Sequence, residues 1–129
     1  MEQLIPLNIR EAMISRGRLI EVAMLKKKVV IPLTRSQFET FDRLILLYLT
    51  STRLVNLIDK ANYFIIQMVY EKKIRPAHLN LKTKFRFNFN VAESSAIYTM
   101  LFRLIISSES AYETTLRNFI CSEIDFQTA

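Results

Sequence analysis

"KFRFNFNV", residues Lys84 to Val91, alternates basic or amide side chains with phenylalanine at every step. The alternation runs further toward the N-terminus. Leu79, Leu81, Phe85, Phe87, Phe89 and Val91 share the odd positions, where only Thr83 departs from apolar, and Asn80, Lys82, Lys84, Arg86, Asn88 and Asn90 fill the even ones. A period of two predicts a half-buried β-strand over about 79–91, with one face on a core and the other in water. Each phenylalanine buried there contributes about 2–3 kcal/mol.

Working outward, the only other good strand is Val29 to Leu33, where Pro32 lacks an amide donor and belongs at an edge or an end. A strand over 79–91 spans roughly 43 Å at about 3.3 Å per residue. So short a companion leaves much of its backbone unpaired, and the expectation is that another chain, a second copy, completes the pairing.

The remaining sequence reads as helix. Asn8 and Glu11 have capping-box spacing before a helix over about Ile9 to Lys27, ending in Lys26, Lys27 and Lys28, which suit a helix C-terminus. Thr34 with Gln37, or Ser36 with Glu39, opens a helix whose Phe38, Phe41, Ile45 and Tyr48 form one apolar stripe. Its second half, with Leu44, Leu46, Leu47 and Leu49, is apolar nearly all round and marks a central helix. Thr50, Ser51 and Thr52 supply a break. Leu54, Ile58, Ala61, Ile65 and Met68 then step by four, three, four and three. That seam covers about two heptads, too few for a coiled coil, so core packing is its expected use. Pro76 ends this helix and drives Arg75 toward extended geometry. Asn90 or Ala92 opens a further helix containing Ile97, Met100, Leu101, Leu104 and Ile105. Ser110 and Glu113 cap a last one carrying Tyr112, Leu116, Phe119, Ile120 and Ile124, with 125–129 expected to be unstructured unless a partner holds it.

The expected fold is therefore α+β: one helix-dominated domain over 1–129, with a helical arm over 1–28 and a strand–helix–helix order that occurs twice, at 29–75 and 79–124. With 129 residues, half of them apolar, and a single Gly, the chain suits long elements around a core that needs no disulfide.

Charge is concentrated. The net charge is +6, and 72–92 holds six bases (Lys72, Lys73, Arg75, Lys82, Lys84, Arg86) and no acid. Removing those six from the 18 bases leaves 12, the number of acids in the whole chain. A localised excess points to an anionic partner, a nucleic acid or an acidic protein surface. Lys82, Lys84, Arg86, Asn88 and Asn90 are the candidate contacts. Phe85, Phe87, Phe89, Leu54, Ile58 and Ile65 are the candidate self-association residues.

Catalytic chemistry is scarce. His78 and Cys121 are the sole residues of their types, which leaves no zinc set, and Gly17 alone builds no phosphate-cradling loop. Carboxylate pairs such as Asp59 with Glu71 and Glu109 with Glu113 fall on expected helix surfaces. No enzymatic activity and no cofactor are expected. One cysteine, an acid in the opening Met-Glu-Gln and no long apolar run suggest a soluble protein of the cytoplasm, or of a virion assembled there, without a membrane partner. The Ile-, Lys- and Asn-rich composition is compatible with a phage or other mobile element.

The strand–helix–helix arrangement over about Leu81 to Glu123 resembles the ribbon–helix–helix family of DNA-binding regulators. That resemblance implies paired strands from two chains that insert alternating polar side chains into the major groove, with Lys84, Arg86 and Asn88 as the contacts carried over. The tight glycine-containing turn of that family has no counterpart at Ile106 to Glu109. The leading expectation is a self-assembling structural or accessory module with a basic strand face, and sequence-specific DNA binding is the alternative. A small adaptor that covers another protein's surface differs from the first in no sequence feature.

Overall fold

A computed structural model describes residues 27–51, 53–104 and 110–129. The helix expected over Ile9 to Lys27, apart from its last residue, and the Ile106 to Glu109 connection lie outside the described residues.

The chain is α+β and helix-dominated. Strand β1 (Lys28–Thr34) leads into helix α1 (Arg35–Ser51) and helix α2 (Leu57–Val69), which continues through a π-helical turn (Tyr70–Ile74) and a last short turn (Arg75–Ala77). Strand β2 (Lys84–Asn90) is followed by helices α3 (Val91–Arg103) and α4 (Ala111–Thr128). The order strand–helix–helix thus occurs twice.

β1 and β2 form one antiparallel ribbon, in register from Lys28 opposite Asn90 to Thr34 opposite Lys84. This corrects the expected pairing with a second chain. The strand is seven residues long, not thirteen, and matches β1 in length. Leu79 and Leu81 keep the alternating pattern but lie outside the strand, 87 % and 92 % exposed. The chain there is still leaving α2 through a turn, and the Arg35 guanidinium holds it by donating to the carbonyls of Asn80 (2.7 Å) and Lys82 (3.0 Å).

Alternation puts Val29, Ile31 and Leu33 of β1 and Phe85, Phe87 and Phe89 of β2 on the inner face, all buried. Helices α1, α3 and α4 pack against this ribbon, and α2 packs mainly on α3. Phe38 of α1 stacks on Phe85 and Phe87, with ring centroids 4.4 and 5.7 Å apart. The predicted stripe of α1, Phe38, Phe41, Ile45 and Tyr48, is buried throughout, while Leu46 and Leu47 face outward.

Local chemistry sets the helix ends. Thr34 and Gln37 form a reciprocal box (Gln37 N–H to Thr34 Oγ1 3.3 Å, Thr34 N–H to Gln37 Oε1 2.9 Å), and Asn90 with Glu93 forms another at α3. The Ser110 hydroxyl accepts from Glu113 N–H at α4. Where α1 ends, Thr50 donates to the Leu46 carbonyl at 2.8 Å. Two expectations fail. Arg75 is helical despite preceding Pro76, because the wider π turn, closed by Arg75 N–H to the Tyr70 carbonyl, accommodates a residue that would obstruct a regular α-helix. The C-terminal segment is also ordered: α4 runs to Thr128, and the Gln127 amide accepts from Val30 N–H and donates to the Val30 carbonyl, both at 2.7 Å.

Because Phe87 sits mid-ribbon between Phe85, Phe89 and Phe38, Phe87→Ala is expected to destabilise the fold by about 3–5 kcal/mol. Urea unfolding followed by circular dichroism measures this, and a loss below about 1 kcal/mol would place Phe87 outside the core.

Candidate functional site

The ribbon's outer face is open. Lys84, Arg86 and Asn88 of β2 lie exposed there, with Lys28, Pro32 and Thr34 of β1 beside them and Lys82 just before the strand. The register sets Arg86 opposite Pro32, Asn88 opposite Val30 and Lys84 opposite Thr34. Lys28, Lys82, Lys84 and Arg86 form no ion pair among the described residues. Of the five predicted contacts, Asn90 stands apart. Its side chain is committed to the cap of α3, accepting from Glu93 N–H at 2.7 Å while its own N–H donates to Glu93 Oε1 at 2.9 Å.

The two edges of the ribbon differ. Arg35 N–H donates to the Thr83 carbonyl at 2.9 Å, one step beyond the strand, so ladder bonds fall on the odd residues of β2. The even residues therefore turn their N–H and C=O outward. On the β1 edge, Gln127 satisfies Val30, and Pro32 has no donor to leave unpaired. On the β2 edge the Lys73 ammonium donates to the Asn88 carbonyl at 2.6 Å and pairs with Glu93 at 2.8 Å. The backbone groups of Lys84 and Arg86 and the N–H of Asn88 have no partner among the described residues.

Alongside that edge runs an open groove of about 920 Å³, lined by β2, by Lys73, Pro76 and Ala77 from the end of α2, and by Asn80 and Lys82. Lys28 and Lys73 are site residues that the sequence reading assigned to other roles or passed over. Lys28 has the setting of a helix terminus in the sequence, yet it starts β1. Lys73 lay within the basic run, but only the folded chain brings it to β2.

A second surface is apolar. The seam residues Leu54, Ile58 and Ala61 are exposed, which corrects the expectation that they enter the core, while Met68 is partly exposed and Ile65, half-buried, packs against the core as expected. The buried side of α2 is instead Asp59, Ile66 and Val69. Leu57 (81 % exposed), Ile58 (68 %) and Phe64 (61 %) share the outward side. Phe85, Phe87 and Phe89, in contrast, are enclosed in the chain's own core and offer no surface for self-association.

Asp59 is not a surface carboxylate. It is buried at the start of α2, where Arg103 of α3 donates to it and Asn56 caps its N–H at 2.9 Å. The Arg103 hydrogen bond, opposed by burial, holds the Asp59 carboxyl below its ordinary 3.8. His78 bonds Asp42 at 2.9 Å, and its ring lies 4.9 Å from that of Phe38. Burial, with help from Asp125, pushes the Cys121 thiol up to about 11, so near neutral pH it is an unreactive thiol. Among the described residues no group of three or more His, Cys, Asp or Glu is placed to hold a metal, and no helix is long and apolar enough to cross a membrane.

Comparison with known proteins finds no matching family model, no matching curated protein and no matching solved structure.

A carboxyl held below its ordinary value stabilises the fold fully above that value, and the contribution disappears as pH falls through the folded one. Asp59→Asn is therefore expected to lower the denaturation midpoint at pH 7, with the difference from wild type shrinking below about pH 4. Denaturant titrations across this range read the effect, and a difference that stays constant in acid would rule out the ion pair as its source.

Proposed function

We propose that this chain is a non-enzymatic structural or accessory module that assembles with copies of itself through the outward side of α2 and presents its basic ribbon face to an anionic partner. The observation that carries the reading is the apolar stripe of Leu57, Ile58, Ala61 and Phe64. It lies beside the buried side of the same helix yet faces water. A helix with two apolar sides packs one inward and has the other available for association. Charged residues flank the stripe at Lys60 and Glu71 and leave its centre uncharged, as in the middle of a stable interface. The second copy supplies the same stripe, so a two-fold arrangement satisfies both surfaces at once. A cytoplasmic or virion setting and an origin in a mobile element fit such a module but draw their support from composition alone.

A second reading, a DNA-binding regulator, has one specific observation in its favour. The twofold strand–helix–helix order supplies both strands of an antiparallel ribbon from a single chain, and a two-stranded ribbon fits a major groove. Lys84, Arg86 and Asn88 are the groups that would enter it. Val30 and Pro32 oppose Asn88 and Arg86 from β1 without a polar side chain, and Asn90 is occupied in a cap, so that part of the face has little means of reading bases. Steep weakening of duplex binding with added salt, reduced in a Lys84→Ala/Arg86→Ala variant, would favour this reading.

Sedimentation equilibrium tests the first reading. The wild-type chain is expected to form a discrete multimer whose mass is unchanged by salt or nuclease, and Leu57→Glu/Ile58→Glu is expected to reduce it to the 15.2 kDa monomer. A wild-type chain that remains monomeric at high concentration would refute self-assembly.

A further inference from the structure

We propose that the free edge of β2 accepts an extended acidic segment of a different polypeptide as a third strand of the sheet. The inference rests on the reading of the basic face as a site for an anionic partner and specifies that partner's chemistry.

Three independent features support it. The first is the backbone: Lys84 and Arg86 turn both N–H and C=O outward, and Asn88 its N–H, in the alternating donor–acceptor spacing that an extended peptide complements. The second is space. The groove of about 920 Å³ beside this edge is bounded by Lys73, Pro76 and Ala77 and is open along the strand. Among the described residues, no side chain takes up the backbone groups of Lys84 or Arg86 as Gln127 takes up both those of Val30 on the β1 edge. The third is charge. Lys82, Lys84 and Arg86 lie along the edge without an acidic partner among the described residues, and the one acid lining the groove, Glu93, is already paired with Lys73.

These features also select among occupants. A second copy placed edge to edge would set one row of Lys84 and Arg86 against another, and like charges in neighbouring strands are destabilising. A nucleic acid would answer the charge but not the alternating backbone donors and acceptors. An extended peptide with Glu or Asp at every second position answers both. Its acids would lie on the outer face beside Lys84 and Arg86, and small or β-branched residues between them would turn toward Phe85, Phe87, Pro76 and Ala77.

The test uses the full chain and a fluorescein-labelled peptide alternating Glu with Val and Thr. Two companion probes are the same peptide with two alternate backbone nitrogens methylated, and a labelled duplex of similar charge. Fluorescence anisotropy is expected to show saturable binding of the first peptide. Methylation, which removes edge donors and keeps every charge, is expected to weaken it by at least about tenfold. Lys84→Gln/Arg86→Gln, changes confined to exposed side chains, is expected to weaken it as well. Equal binding of the methylated peptide would overturn strand addition while leaving the basic-face reading intact if the Lys84→Gln/Arg86→Gln variant still lost affinity. Binding of the duplex with none of the peptide would overturn the inference in favour of nucleic acid. No binding of any probe would overturn both.

Discussion

The antiparallel pairing of Lys28–Thr34 with Lys84–Asn90 is the constraint on which the rest of the molecule depends. It closes a long loop of chain, aligns a row of aliphatic and a row of aromatic side chains on one face, and gives the helices a common surface to cover. Without it neither strand has a partner among the described residues, and a single strand cannot satisfy its own backbone. With it, Phe85, Phe87 and Phe89 meet Phe38 in a stacked aromatic centre that holds α1 across the ribbon.

The same pairing creates the surfaces of interest. A period of two cannot bury one face without exposing the other, so the burial of three phenylalanines places Lys84, Arg86 and Asn88 in solvent. A ribbon of two strands also has two edges, and this chain treats them differently. One is closed by Gln127 and by a proline with no donor to expose, while on the other, among the described residues, Lys73 takes the Asn88 carbonyl and Glu93 the Asn90 N–H, and the backbone groups of Lys84 and Arg86 have no partner. Asp59, bonded to Arg103, lies on the buried side of α2 with Ile66 and Val69, while Leu57, Ile58 and Phe64 are exposed. Association through α2 and capture of an anionic segment at β2 are thus proposals about two separate surfaces, each of which can fail without the other.

Much of the fold was legible in the sequence because its signals are local. The Phe alternation, the Thr34–Gln37 box, the helix start at Asn90, the stripe of α1 and the Ser110 cap each depend on neighbours a few residues away. What escaped was the long-range part. Leu79 and Leu81 carry the same periodicity as Phe85, and only the exit of α2 and the grip of Arg35 keep them out of the strand. Overestimating that strand made β1 look too short to be its partner, and so suggested a second chain. The seam of α2 has core spacing, but its other side proved the better fit to α3. For the candidate site, Lys82, Lys84, Arg86 and Asn88 were readable from alternation alone, whereas the approach of Lys73 to Asn88, 15 residues away, and of Gln127 to Val30, 97 away, left no sequence pattern.

Amide hydrogen exchange along β2, measured residue by residue by NMR on the chain without added partners, addresses the intrachain ribbon and its open edge most directly. Slow exchange is predicted at Phe85, Phe87 and Phe89, whose N–H groups face β1, and fast exchange at Lys84, Arg86 and Asn88, whose N–H groups face the groove. Uniformly slow exchange would contradict the open edge, and uniformly fast exchange would contradict the ribbon itself.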